Sequence, residues 1–385
     1  MKVIQVINAL SAGGAESFAV QLTTALSEFC DIELLTYAGC LDEKGIRLEQ
    51  QLRSEGIIHN DAGAVTHWQR ALVPFWLHDR IRRTTPDIVH VHLPRVEQFI
   101  MLSALLGTRT PVHVRTKHDD RAIVRSLHTA AAARFFDMHV ACSPAALAPL
   151  NAAGLGHKSV LLANGIASRP IHNRVQIGAE QRLKHGIPAS ACVAICVGRI
   201  EQIDGVFLKA QDSIVEALAA ADDLTDLHVV FVGGGQAISS LKQLAAASSA
   251  NKRIHFTGVL PDITPYVAAA NFMLMPSPRE GLPMTAIECA CFELPLLLSD
   301  IEAFAPFRHS STLYCRAGDI SDMVLRLREM RACIDTLTTE ARRNGDIYRH
   351  KFSIRNVAKK HHALYQSLVA RQRGEPWRSD VEPEA

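Results

Sequence analysis

The sequence predicts a two-domain α/β protein, each half a parallel sheet with helices on its faces, and three observations point that way. Short β-rich runs alternate with helical stretches along nearly the whole chain, which implies parallel strands with covered faces. The alternation breaks once, over a turn-rich stretch at 168–190, and then restarts. A length of 385 residues exceeds one typical core and suits two domains.

The first half opens with "KVIQVIN" (Lys2–Asn8), a glycine turn "ALSAGGAES" and a helical "FAVQLTTALSEF", which together form one strand–turn–helix unit. "DIELLTY" is a second strand. "DIVHVHL" (Asp87–Leu93), "PVHVRTKH" (Pro111–His118) and "DMHVACS" (Asp137–Ser143) are three more, each after a helical stretch. "KSVLLANGIAS" (Lys158–Ser168) closes the half on an Asn-Gly turn. In the second half the strands "ACVAICVGRI", "LHVVFVGGG", "RIHFTGV", "NFMLMPS" and "LPLLLSD" alternate with the helices "GVFLKAQDSIVEALAAA", "AISSLKQLAAASS", "ITPYVAAA" and "MTAIECACF". Two Rossmann-like halves are therefore expected at 1–167 and 191–352, joined by a linker with a short helix at 168–190. A C-terminal helix at 353–372 is expected to pack back on the first half, and 373–385 has the charge and proline content of a disordered tail.

Composition narrows the function. Apolar residues make up 48% and charged residues 21%, and a net charge of +2 lacks the basic excess of a nucleic-acid protein. No apolar run approaches the roughly 20 residues needed to span a bilayer, and the N-terminus reads as a first strand, not a targeting segment. The nine cysteines form no C-x-x-C pair, so neither a zinc site nor a disulfide framework is expected, and a reducing cytosol suits the chain.

In open α/β sheets ligands bind beyond the carboxyl ends of the strands. The βα loops supply Gly13, Gly14 and Glu16, then His118 to Asp120, then Gly198, Arg199 and Glu280; Asn164 and Gly165 at the domain junction read as structural. Gly13 and Gly14 either admit a phosphate close to the backbone or form a plain turn. "VGGGQ" (Val232–Gln236) reads as helix–sheet packing. The most informative stretch is "PREGLPMTAIEC" (Pro278–Cys289), where Glu280 and Glu288 flank a Gly-Leu-Pro helix start. Proline suits the first helical position, and the amides of Met284 and Thr285 together with the helix dipole favour an anion.

Taken together, "GGAE", "ANGI", "VGR" and above all "PREGLPMTAIE" resemble the retaining GT-B glycosyltransferases of glycosyltransferase family 4, in the same order, from Met1 to about Ala370. The resemblance implies a GT-B fold, two Rossmann-like domains facing across a cleft. The first would bind the acceptor and the second a UDP- or GDP-sugar donor. It implies metal-independent transfer, with retention, to a glycan or lipid-linked acceptor in bacterial polysaccharide or glycolipid synthesis, in the cytoplasm or at the inner face of the membrane. By the same resemblance Glu280, with Gly281 and Leu282, meets the sugar, Met284 and Thr285 the pyrophosphate, Glu288 the ribose and Arg199 the diphosphate. His118 would lie beside the transferred sugar, and Gly13 and Gly14 against the donor.

One departure stands out. The family pattern runs Gly-Arg-Leu-x-x-x-Lys-Gly, whereas "GRIEQIDG" places Asp204 in the lysine slot with no change of length to rescue it. A carboxylate about 4 Å from a pyrophosphate charge costs about 4 kcal/mol at an effective dielectric near 20. Either Asp204 turns away and Lys209 or another base substitutes, or turnover is weak. The latter would suit a non-catalytic GT-B subunit that serves a partner. An epimerase or hydrolase on the same fold, with its acid and base near His118 to Asp120, is the other alternative. A tryptophan common before the family's last helix is here Ile354. Finally, "HWQRALVPFWLHDRIRR" (His67–Arg83) mixes aromatics with arginines; it either lies on anionic lipid or packs its aromatics on the sheet.

Overall fold

The computed structural model describes residues 1–64, 66–107, 111–121, 131–132, 134–167 and 171–375. The first residues of the expected linker (168–170) and most of the expected tail (376–385) lie outside that set. The chain divides into two compact units, Met1–Ala167 with Phe352–Ala385, and Ser168–Lys351.

In the first unit, strands β1 (Lys2–Ile7), β2 (Asp31–Thr36), β3 (Ile58–Asp61), β4 (Ile88–His92), β5 (Val112–Lys117), β6 (Met138–Ala141) and β7 (Ser159–Leu161) form a parallel sheet ordered β3-β2-β1-β4-β5-β6-β7. The described helices between them are α1 (Gly14–Leu26), α2 (Glu43–Ser54), α3 (His67–Thr84), α4 (Pro94–Ala104) and α5 (Pro144–Ala152). Alternate side chains of one strand feed cores on opposite faces. Ile4 and Val6 pack with Val73 and Leu77 of α3 and Ile100 of α4, whereas Ile7 packs with Ala19 and Val20 of α1. Side-chain caps mark three of the helix starts: Asp42 accepts from Gly45 N, Ser143 from Ala146 N, and Thr66 with Gln69 closes a reciprocal box.

The second unit holds β8 (Cys192–Val197), β9 (Gln202–Ile203), β10 (Val206–Phe207), β11 (Leu227–Val232), β12 (Ile254–Gly258), β13 (Phe272–Met275), β14 (Leu296–Ser299) and β15 (Thr312–Cys315). Its helices are α6 (Arg174–Lys184), α7 (Gln211–Ala220), α8 (Ile238–Ala247), α9 (Thr264–Ala269), α10 (Met284–Cys291), α11 (Ile320–Ala332) and α12 (Ile334–Lys351). The parallel sheet runs β12-β11-β8-β13-β14-β15, and β9 and β10 form a separate antiparallel hairpin. Every residue of β8 and β11 is buried, as a strand covered on both faces requires.

Helix α6 falls within the stretch read as a linker but is built into the second unit. Arg182 donates to the Ala269 carbonyl at 2.9 Å and to Asn271 Oδ1 at 2.8 Å, and Gly178 abuts the backbone of Ala268 so closely that a β-carbon would collide. The C-terminal helix α13 (Ile354–Gln372) belongs to the first unit and packs on α1. Its start is pinned by a bridge to the end of the first half: Ile166 N donates to the Phe352 carbonyl at 2.8 Å and Ile354 N to the Ile166 carbonyl at 3.1 Å. Gly165 has no room for a side chain there, since a β-carbon would come within 2.9 Å of Ile354 Cα.

Candidate functional site

Each sheet reverses its strand order once, between β1 and β4 in the first unit and between β8 and β13 in the second. Open parallel sheets present their binding crevices at such points. The sequence-derived candidates fall on the loops around both, and each set is described within its own unit.

In the second unit the loop after β8 carries Gly198 and Arg199, and the loop after β13 carries Ser277 to Glu280. The Lys209 ammonium and the Glu280 carboxylate form an ion pair between side chains that are only 23% and 12% exposed. The stem of Lys209 crosses Gly198 so closely that a β-carbon there would come within 2.7 Å of Lys209 Cδ. Beneath the pair lies Cys196, a thiol that burial pushes up to about 12. The Glu280 loop is tied down by Ser299 Oγ, which donates to the Ser277 carbonyl at 2.5 Å. Arg199 is exposed, and its carbonyl accepts from Gln211 Nε2 at 3.0 Å.

The sequence left two alternatives for the lysine slot, and the geometry here is that of the one in which Asp204 turns away. Asp204 and Gly205 are the two-residue turn of the β9–β10 hairpin, with φ of +50° and +80°. An Asp-Gly pair at left-handed φ is the favoured two-residue hairpin turn. Asp204 is exposed at its tip. The chain then returns to the site, where Lys209 precedes Ala210 at φ +51°, and Ala210 precedes α7. A left-handed residue between a lysine and a helix is the conformation that a Lys-Gly pair serves. The hairpin therefore lengthens the loop, contrary to the reading of no length change.

Two further readings change. Pro283 is the N-cap of α10, not its first helical residue; its backbone is extended, and Met284 opens the helix. The glycines of "VGGGQ" serve loop-to-loop contact and not helix–sheet packing. Gly233, at φ +141°, abuts the Gly198 carbonyl with no space for a β-carbon, while Gly198 N donates to the Val232 carbonyl at 3.0 Å and Ile200 N to the Gly234 carbonyl at 2.9 Å. Gly281 and Leu282 are buried behind Glu280, and Thr285 and Glu288 are half-buried on α10.

In the first unit Gly13 is the N-cap of α1 and Gly14 its exposed first residue. The carboxylate of Glu16 folds back into the space a β-carbon of Gly13 would take, and Ser11 Oγ donates to it at 3.4 Å. An acid at that point suits the positive end of the helix dipole. The loop before α1 is held by Ala12 N donating to Asp42 Oδ2 at 2.8 Å. His118 follows β5, its Nε2 3.2 Å from Nδ1 of His92, and burial pulls its pKa down to about 4. Lys117 pairs with Asp119 at 2.6 Å beside it. Asn164 is buried at the end of the half, one residue from the Gly165–Ile354 contact. On α3, Trp68, Leu72 and Phe75 are 87%, 63% and 58% exposed, so these side chains do not pack on the sheet; Trp76 does so in part.

Sequence reasoning missed His92 and Gln5, both fully buried, and the left-handed Ala210. The available signal for the first was "HVH" in a strand whose every residue should be apolar. Among the described residues no group of three or more His, Cys, Asp or Glu is placed to hold a metal ion. No helix among them is long and apolar enough to cross a membrane.

This pair of parallel-sheet units matches known proteins. The model of the family described as Glycosyltransferase Family 4 matches residues 12–168, and that of Glycosyl transferases group 1 matches 191–331. The chain belongs to these group 1 and family 4 glycosyltransferases, and its fold is the two-domain Rossmann-like GT-B fold. It is 29% identical over 148 residues to the putative teichuronic acid biosynthesis glycosyltransferase TuaC of Bacillus subtilis, a match covering 38% of this chain and 34% of that protein. It is 27% identical over 103 residues to an uncharacterized glycosyltransferase of Haemophilus influenzae, covering 26% and 29%. The chain thus spans about a third of the curated relatives it matches. Among solved structures, Anabaena HepE in complex with UDP and glucose superposes with a TM-score of 0.79 at 15% identity, over 95% of this chain and all of that one.

Proposed function

We propose that the protein is a metal-independent retaining glycosyltransferase that moves a sugar from a nucleotide-sugar donor, a UDP- or GDP-sugar, to a glycan or lipid-linked acceptor in bacterial polysaccharide or glycolipid synthesis. In this reading the second unit binds the donor and the first the acceptor. The observation that carries it is the Lys209–Glu280 pair at the reversal point of the second sheet, with Lys209 just before α7 and Glu280 on the loop that leads into α10. Complexes of HepE with UDP, with UDP and glucose, and with UDP-glucose support the donor class.

The roles follow from the chemistry of each group. The first amides of α10, those of Met284 and Thr285, have no carbonyl within the helix to bond and would meet the pyrophosphate at the positive end of the dipole. Arg199 and Lys209 would neutralise the charge that develops on the leaving diphosphate, fixed cations placed where charge appears. Glu280 would release part of its hold on Lys209 to accept bonds from sugar hydroxyls, and Glu288 would accept them from the ribose. Charge-assisted bonds of this kind contribute about 1.5–3 kcal/mol each. The transition state would be oxocarbenium-like, with a leaving-phosphate oxygen helping to deprotonate the acceptor hydroxyl and His118, held neutral, beside the sugar. The exposed position of Asp204 on a hairpin tip supports this reading over a non-catalytic subunit. The epimerase or hydrolase alternative has less support, because Asp119 is already engaged by Lys117.

The exposed Trp68, Leu72 and Phe75 on a helix that ends in Arg82 and Arg83 favour peripheral contact with an anionic cytoplasmic membrane face, where a lipid-linked acceptor would lie.

Calorimetric titration with UDP, GDP, ADP and their sugar conjugates, without added metal, tests the reading. Micromolar binding of one of them, lost in a folded Glu288→Ala protein, is expected. Absence of binding to all of them would refute donor use.

A further inference from the structure

The first unit hides a cluster of histidines that the proposed roles leave unexplained. His90 and His92 on β4 and His361 and Tyr365 on α13 are fully buried, and His118 stands at the end of β5. The rings of His90 and His92 lie 4.4 Å apart between centroids, those of His92 and His118 5.4 Å apart and nearly stacked. Phe18 of α1 meets His92 and His118 edge-on. Burial pulls His92 well below the ordinary histidine range, with His90, His118 and His361 adding to the effect, so the cluster is neutral near pH 7.

In neutral imidazole one nitrogen donates and the other accepts, so a partner that can play only one role decides the tautomer of its neighbour. Gln5 on β1 presents its carbonyl Oε1 to His92 Nε2 at 3.2 Å, while the nearby Thr23 Oγ1 donates its proton to the Ala19 carbonyl at 2.8 Å. An amide oxygen cannot donate, so His92 carries its proton on Nε2 and keeps a lone pair on Nδ1. That lone pair faces His118 Nε2 at 3.2 Å, which must therefore bear the proton. What remains on His118 is an Nδ1 lone pair that is buried and has no partner among the described residues. His90 stands outside this chain of bonds, occupied by Tyr365 Oη at 2.6 Å and Thr116 Oγ1 at 2.7 Å.

We propose that Gln5 and His92 are positioning residues that hold His118 in the Nε2–H tautomer through two buried hydrogen bonds, so that its Nδ1 accepts a hydrogen bond from a hydroxyl of the substrate. This rests on the reading that His118 meets the transferred sugar. Leaving a buried acceptor unpartnered costs stability, which a substrate hydroxyl would restore on binding. Asp119, the nearest carboxylate in sequence, is taken by Lys117 and does not compete for that nitrogen.

Long-range proton–nitrogen NMR of the full chain with labelled histidine reads the tautomer directly, without substrate. His118 is expected to show a protonated Nε2 and an unprotonated Nδ1; the opposite tautomer, or a mixture, would overturn the relay whatever the activity. His92→Phe removes the acceptor and should mix the tautomers. It should also lower kcat for sugar transfer about tenfold or more, because a group that orients a histidine in the site is lost, while KM for the donor changes little. His92→Gln can accept from His118 and donate to Gln5, and should recover both the tautomer and most of kcat. If His92→Phe fails to fold, His92→Gln is compared with Gln5→Met, which should mix the tautomers from the far end of the relay. Unchanged tautomer and kcat in the variants that lack the relay would refute the proposal. A wild-type protein that transfers no sugar would instead refute the glycosyltransferase reading, with the tautomer signals still judging the relay.

Discussion

Lys209→Met separates the two candidates for the lysine slot when it is set beside Asp204→Lys. Methionine keeps the stem that lies over Gly198 and removes the charge, so packing changes little while Glu280, 12% exposed, loses its partner. An orphaned, mostly buried carboxylate costs about 1–3 kcal/mol of stability. On donor binding, the lost charge-assisted bond to the diphosphate contributes about 1.5–3 kcal/mol, reduced because Lys209 is shared with Glu280. The expected net is a tenfold to hundredfold rise in Kd, at about 1.4 kcal/mol per factor of ten. Asp204 acts through water from the tip of a hairpin, where even at 10 Å a unit charge contributes only about 0.4 kcal/mol before salt screens it. Asp204→Lys should therefore change Kd less than about threefold. Isothermal titration with the nucleoside diphosphate, alongside a melting curve for each variant, measures both terms. If Asp204→Lys tightens binding tenfold while Lys209→Met binds as the wild type, the assignment of the slot to Lys209 is wrong.

Gly233→Ala should lower the melting temperature by about 10 °C. It combines a backbone at φ +141° with a collision against the Gly198 carbonyl, together about 3–4 kcal/mol, whereas Gly205→Ala, at φ +80° with open space around it, should cost about 1 kcal/mol; equal losses would refute the loop-contact argument. Acid should weaken the first unit through its histidines. His361 has a folded pKa of about 4 against an ordinary 6.5, so the unfolded chain binds the proton first, and stability is full above about 6.5 and lost as pH falls toward 4. The loss is on the order of 3 kcal/mol for this residue, and urea midpoints measured across that range should flatten in His361→Leu; a slope that persists unchanged would exclude the residue. Co-sedimentation with vesicles containing anionic lipid should fall several-fold in Trp68→Ser/Phe75→Ser, and a wild-type protein that does not sediment would remove the membrane contact.

What was legible in the sequence was whatever a single stretch of chain decides. The fully buried β8 and β11 announced themselves because strands covered on both faces are apolar almost throughout, His228 being the exception in β11, and the Gly-Leu-Pro step marked the start of α10 to within a residue. The edge strands β3, β7 and β15 were not read, since three or four residues with one partner carry little pattern. The loop after β8 was misread for a different reason. The family spacing was counted along the chain, and "DG" was taken as the end of that count when the same two residues are a strong hairpin turn. A hairpin starts and ends at nearly the same place, so it changes the count while leaving Lys209 free to return to Gly198. The pairs that define each half-site, Lys209 with Glu280 and Gln5 with His92, are separated by 71 and 87 residues. Parallel strands make this unavoidable, because each neighbour in the sheet is reached only through a crossover. Spacing along the chain can thus nominate residues on a parallel sheet's loops, but strand order decides which of them meet.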